Sequence, residues 1–292
     1  MGSSYFASES AGRIETRTPM TRDQTDLFDE NTQTRDHEVL NGAIPPSSRF
    51  QHTLQDYLPQ ESILAVNIAL ESATMDDLRQ RLETALPQNS AVTRRRYVES
   101  ITRWFFRDGV CGFAATVWAR FRSEDLQVSL HRYLYLTAEP IMASCVASIL
   151  ARLSEGLLVP ADYLATTSAK LLRHELNPQT RKRLLANLRR LGFLERTSAG
   201  DRVVAPPSKK AALLLALHHE FKVEAPRTIE FTALAANPFW RFVGLRSEDA
   251  LRDFLKEAEH AGFLGKYVVA DRLEQITTCY SLAQLLEKGV RL

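Results

Sequence analysis

Apolar residues are scarce over positions 1–58, where Ser, Thr, Asp, Glu, Gln and Asn dominate. Too little apolar surface is present there to offset the entropy of ordering, so a disordered tail is expected, with Phe28, Phe50 and Tyr57 as isolated exceptions. From about Ser62 the spacing turns helical. Leu64, Ile68, Met75, Leu78, Leu82 and Leu86 fall on one stripe, which Pro87 and the polar Gln88-Asn89-Ser90 interrupt. A second helix is predicted over 91–106, with Tyr97, Ile101, Trp104 and Phe105 on its core face, and further helices near 113–121, 124–137 and 139–155. Short connections between amphipathic helices predict a helical bundle over 59–156.

Positions 157–205 depart from that pattern. β-compatible residues surround Pro160, and Thr166-Thr167 are suited to cap a helix over 168–176. Asn177-Pro178 ends that helix and opens another, because Asn is a good N-cap and Pro is favoured at the first helical position. This helix runs to about Arg190 and stops at Gly192. Two short extended runs, 193–197 and 202–205, then flank a Gly-containing turn. Strand, helix, tight turn, helix, hairpin is the order of a winged helix-turn-helix, in which the helix before the hairpin enters the major groove.

The closing Leu191-Gly192-Phe193-Leu194 recurs loosely as Ala261-Gly262-Phe263-Leu264. The helix before the second copy, 247–260, has a stripe of Leu251, Phe254, Leu255 and Ala258, and extended runs 266–270 and 275–280 follow it. A last helix is predicted over 281–288. The expected fold is therefore mainly α: a disordered tail (1–58), a helical bundle (59–156) and two winged helix-turn-helix modules (157–222 and 223–292).

Charge separates the two modules. The formal net charge of the chain is only +2, but residues 150–222 hold thirteen basic and six acidic side chains, a local +7, while 223–292 hold nine and ten. A basic block between near-neutral ones suits a polyanion partner. At 100° per residue, Leu184, Leu185, Leu188 and Leu191 form the core side of the second helix of the basic module. Gln179, Lys182, Arg183, Ala186, Arg189 and Arg190 lie opposite. Lys and Arg contact phosphates, Arg and Gln read base edges, and Ala186 leaves room for close approach. Arg196 and Arg202 lie on the wing, and Lys209-Lys210 extend the patch. Arg94, Arg95 and Arg96 open the second helix of the bundle, where cations oppose the helix dipole. Phosphate contact is one use for them; pairing with Glu99 and other carboxylates is the other. The equivalent helix of the second module carries Glu248, Asp249, Asp253, Glu257 and Glu259, which repel phosphate, so that module reads as a protein-contact or dimer module. Phe239, Trp240 and Phe242 are core or interface anchors.

Chemistry is sparse. There is no Gly-rich phosphate loop, no cysteine pair and no His motif of metal spacing, so neither a cofactor nor an enzymatic activity is expected. His218-His219-Glu220 is the one tight cluster, and on a helix His219 and Glu220 diverge; His131 and His174 read as surface or satisfied residues. Cys111, Cys145 and Cys279 are odd in number and far apart, which fits free thiols in a reducing compartment. The longest apolar run, 141–151, is about half the roughly 20 residues of a spanning helix. A cytoplasmic protein is expected.

The opening Ser90-Ala91-Val92-Thr93-Arg94-Arg95 of an aromatic helix, the following helices with Trp118, and the Gly192-Phe193-Leu194 close resemble BrxA, an accessory protein of the BREX phage-defence systems. The resemblance covers 89–221, about half of the chain; the long tail and the second module extend beyond the shorter family pattern. It implies a helical, NusB-like first domain, binding of double-stranded DNA, and action beside the methyltransferase and ATPase components of a defence locus. It carries no active site. Other defence-system proteins, reached through the C-terminal module, are the expected protein partners, and a homodimer is left open. The same residues also suit a transcriptional regulator, an RNA-binding antitermination-like protein, or an adaptor whose winged helices bind only protein.

Overall fold

In the computed structural model, which describes residues 54–160, 162–172, 175–270 and 273–290, the stripe predicted over 64–86 is split into two helices, α1 (Pro59–Ala69) and α2 (Met75–Ala85). Thr74 causes the split. Its hydroxyl accepts the Asp77 N–H at 3.2 Å, and Asp76 and Asp77 place negative charge at the start of α2. On α1 the core face is Ala65, Val66 and Ala69; Leu64 and Ile68 are only half-buried.

The bundle continues with α3 (Ala91–Phe105), α4 (Phe113–Phe121), α5 (Glu124–Ala138) and α6 (Pro140–Arg152). Ile101, Trp104 and Phe105 are buried on α3 as predicted, whereas Tyr97, expected with them, is half-buried. α5 is the axis of the bundle. Leu130, Tyr133, Tyr135 and Leu136 are fully buried, and α1, α3, α4 and α6 all pack on it. Among the described residues no single helix is long and apolar enough to cross a membrane. α5 and α6 reach that length only as a pair bent by 111°, and the bundle covers most of their apolar surface.

Beyond the bundle come α7 (Tyr163–Leu172), α8 (Pro178–Arg190), and a hairpin of β1 (Leu194–Thr197) and β2 (Gly200–Val203). Residues 157–159 run beside β2 through an isolated antiparallel bridge: Val203 N–H donates to the Leu157 carbonyl and Val159 N–H to that of Asp201, both at 2.8 Å. α7 starts five residues earlier than expected. Thr166 and Thr167 lie inside it, because Tyr163 anchors its first turn by a phenol bond to Ser148 of α6 at 2.8 Å. α8 ends where Gly192 turns left-handed at φ 82°, which lets Phe193 N–H reach the Leu188 carbonyl at 3.0 Å.

α9 (Lys210–Glu220), buried from Ala212 to His218, leads to the second repeat: β3 (Thr228–Glu230), α10 (Phe231–Ala236), α11 (Phe239–Val243), α12 (Glu248–His260), β4 (Leu264–Ala270), β5 (Leu273–Thr278) and α13 (Leu282–Lys288). The strand order is β3-β5-β4, all antiparallel. Gly262, φ 72°, repeats the part of Gly192, with Phe263 N–H on the Ala258 carbonyl at 2.9 Å. Phe239, Trp240 and Phe242 are core. The fold is mainly helical with two small antiparallel sheets.

The stretch read as tail is packed at its end, with Leu54 and Tyr57 buried. Residues 1–53, including Phe28 and Phe50, lie outside the described residues, as does His174.

Candidate nucleic-acid interface

α8 presents three kinds of surface. Leu184, Leu188 and, just past its end, Leu191 are buried, as the leucine stripe requires, Leu185 is half-buried, and Asn187 is buried among them. A second surface, made by Arg183, Asn187 and Arg190, is covered by the chain at 54–57. Asn187 Nδ2 donates to the Gln55 carbonyl at 2.8 Å and to the Tyr135 hydroxyl at 2.9 Å, while its Oδ1 accepts the Tyr57 N–H at 2.9 Å. Arg190 reaches Asp56 Oδ1 at 3.2 Å and the Tyr57 carbonyl at 3.3 Å. Arg183 lies 4.0 Å from Asp56 Oδ2 and donates to the Leu54 carbonyl at 3.4 Å. The third surface is the N-terminal half, where Gln179 and Lys182 are exposed and Ala186 is half-buried beside them.

The face drawn from the helical wheel is thus divided. Gln179, Lys182 and Ala186 stay together facing outward, whereas Arg183 and Arg190 turn to the 54–57 strap. Arg189 turns the other way, to the β1–β2 hairpin. Its guanidinium makes two bonds to Asp201, both 2.7 Å, and Asp201 is nearly inaccessible. These bonds hold the Asp201 carboxyl below the usual carboxylate range and raise Arg189. Arg189 therefore fixes the angle between α8 and the hairpin. A helical wheel cannot separate such positions, because all three arginines lie on the side away from the leucines.

On the β1–β2 hairpin Arg196 and Arg202 are exposed. Arg196 is 3.4 Å from Asp201, and Arg202 is paired across the hairpin with Glu195. Lys209 pairs with Asp125 of α5 at 3.0 Å and Lys210 with Glu257 of α12. These two lysines lock α9 to its neighbours more than they extend a patch. Among the described residues Lys182 has no ion-pair partner. At the far end of the bundle, Arg94 donates to the Gln88 carbonyl at 2.7 Å, Arg95 pairs with Glu83 at 3.0 Å, and Arg96 lies 5.9 Å above the Tyr97 ring. No hydrogen bond or ion pair among the described residues joins these three to α8. On α12, Arg252 bridges Glu248, Asp249 and Glu274, and Lys256 lies 4.0 Å from Asp253.

A second constellation appears where helical spacing predicted divergence. His219 and Glu220 converge on one hydroxyl: Tyr133 OH is 2.8 Å from His219 Nδ1 and donates to Glu220 Oε2 at 2.6 Å. Asp108 approaches His219 Nε2 at 3.4 Å, Asn237 donates to Glu220 at 3.0 Å, and Phe113 stacks on the imidazole at 4.1 Å. Asp108, Phe113, His219 and Glu220 line a cleft of about 490 Å³ with Trp104, Val223 and Leu282. Among the described residues no three His, Cys, Asp or Glu side chains are arranged to hold a metal. The group ties α5 to α9 and to the turn between α10 and α11.

Sequence reasoning missed Asp56, Asn187 and Asp201. Only Asn187 left a signal, as an amide on an apolar stripe that had to find partners if buried.

No family model and no curated protein matches the chain. A solved structure described as the SspB crystal structure superposes on it with a TM-score of 0.50 at 13% sequence identity, over 85% of this chain and 88% of that one, and at such identity the likeness concerns the fold alone.

Proposed function

We propose that this chain is a non-enzymatic, cytoplasmic accessory protein that binds double-stranded DNA through a winged helix-turn-helix at 157–205. The observation that carries the reading is the N-terminal half of α8. It presents Gln179 and Lys182 to solvent beside Ala186, on a rigid helix capped by Asn177, next to a hairpin with exposed Arg196 and Arg202. A helix of that shape fits a major groove, with the hairpin over the adjoining phosphates. The contact set narrows to Gln179, Lys182, Ala186, Arg196 and Arg202, and Arg189 acts by positioning. The repeat at 223–292 is a second winged helix that serves protein contacts, since its exposed Glu248, Asp249, Asp253 and Glu257 disfavour phosphate. Membership of a phage-defence assembly, and partners within it, rest on the BrxA resemblance.

A protein-only adaptor is the second reading, favoured by the internal pairing of Arg183, Arg189, Arg190, Arg202, Lys209 and Lys210. Titration of duplex DNA, single strands and RNA against salt separates the two. DNA binding predicts a steep salt slope for the wild type and loss of about tenfold or more in Lys182→Glu and in Arg196→Glu/Arg202→Glu. Unchanged binding in both variants would sink the assignment of α8 and the wing. Absence of binding by the wild type puts the adaptor ahead.

A further inference from the structure

We infer that Asp56 is a built-in anion that occupies a phosphate-type site on α8 and confines nucleic-acid contact to the N-terminal half of that helix. The inference rests on the DNA-binding reading and adds a regulator to the same site. Arg183 and Arg190 stand seven residues apart on one side of α8, and the Asp56 carboxylate lies between them, Oδ1 at 3.2 Å from Arg190 and Oδ2 at 4.0 Å from Arg183. Two guanidinium groups converging on one oxyanion are the arrangement that otherwise receives a phosphate. Asp56 does not arrive there by chance contact. The residues on either side of it are pinned by a single side chain, Asn187, which holds the Gln55 carbonyl and the Tyr57 N–H, and Leu54 and Tyr57 are buried. The backbone is thus fixed without help from the Asp56 carboxylate. That group can be neutralised while the strap stays in place.

The site is also accessible. The side chains of Arg190, Asp56 and Arg183 are 41%, 29% and 22% exposed, so a phosphate oxygen could reach the cations if the carboxylate were neutral. In the native protein Asp56 offsets one of the two positive charges and repels a phosphate.

The test compares Asp56→Asn with Asp249→Asn, which makes the same change in net charge on the exposed face of α12. Full-length proteins are titrated with one duplex DNA over a salt series. Asp56→Asn is expected to bind about fivefold or more tighter than Asp249→Asn at low salt, with a log–log salt slope steeper by about one, as one added phosphate contact requires. Arg183→Gln/Arg190→Gln in the wild-type background is expected to stay within about twofold of wild type, and in the Asp56→Asn background to abolish the gain. Equal affinities for the two Asn variants, with the wild type binding, would overturn this inference and leave the DNA-binding reading standing. So would a loss of about tenfold for the arginine pair in the wild-type background, whether or not Asp56→Asn folds. Absence of duplex binding by every protein would overturn the DNA-binding reading and this inference together.

Discussion

The buried guanidinium of Arg132, in the middle of the bundle axis, donates to the main-chain carbonyl of Leu191, the residue that ends α8, at 2.8 Å. It also reaches the carbonyls of Val243, at the end of α11, at 3.2 Å and of Pro207 at 3.4 Å. Three chain segments, one from each repeat and one from the link between them, therefore converge on one cation. Burial pulls Arg132 down to about 10, still far above neutrality, so the charge is kept. Two of its acceptors are helix-terminal carbonyls, where the helix dipole favours a cation.

Replacement of Arg132 by Met should cost about 2–4 kcal/mol, because Met fills most of the volume but leaves the buried carbonyls of Leu191 and Val243, and the partly buried one of Pro207, without their donor. Urea denaturation provides the measurement. A change below about 0.5 kcal/mol would mean that the carbonyls find other donors and that Arg132 is not the joint.

Asn187→Leu should be nearly as damaging, about 2–3 kcal/mol, although it makes α8 more apolar. The Gln55 carbonyl, the Tyr57 N–H and the Tyr135 hydroxyl all lose a partner. Limited proteolysis should then cut near residues 54–57 sooner than in wild type. Unchanged cleavage there would show that Leu54 and Tyr57 hold the strap by packing alone.

Asp201→Asn should lower stability by about 1–3 kcal/mol at neutral pH by breaking the paired bonds to Arg189. The sign with pH follows from the depressed carboxyl. Its contribution is complete above the ordinary carboxylate value and disappears as pH falls through the lower folded value, so wild type and variant should converge in acid. A difference that persisted at the lowest pH would rule out the ionised pair as its cause.

His131 supplies a separate acid sensitivity. It lies buried against Phe105 at 4.3 Å with Nε2 on Gln127, and burial lowers it from 6.5 to about 3. The folded state holds the neutral ring while the unfolded chain takes up a proton below 6.5. Stability should therefore fall by about 1.4 kcal/mol per unit as pH drops from about 6 toward 3. Buried His218, also lowered by desolvation, adds in the same direction. His131→Leu should flatten the slope of stability against pH over that range. An unaltered slope would assign the acid sensitivity elsewhere.

The sequence by itself determined the local elements. The leucines of α8, the Leu251, Phe254, Leu255 and Ala258 stripe of α12, the Asn177-Pro178 start and the Gly192 and Gly262 stops are set by periodicity, capping and backbone freedom, all of which act within a few residues. The local +7 charge was equally legible. What each cation faces was decided only by tertiary structure. Arg183, Arg189 and Arg190 share the outer side of a helical wheel, yet two meet Asp56 from 127 or more residues away and the third meets Asp201 of the hairpin. His219 and Glu220 diverge on their own helix and still converge on Tyr133 of another. Long, flexible side chains are aimed by whichever partner the packed chain brings within reach, and no periodicity encodes that partner.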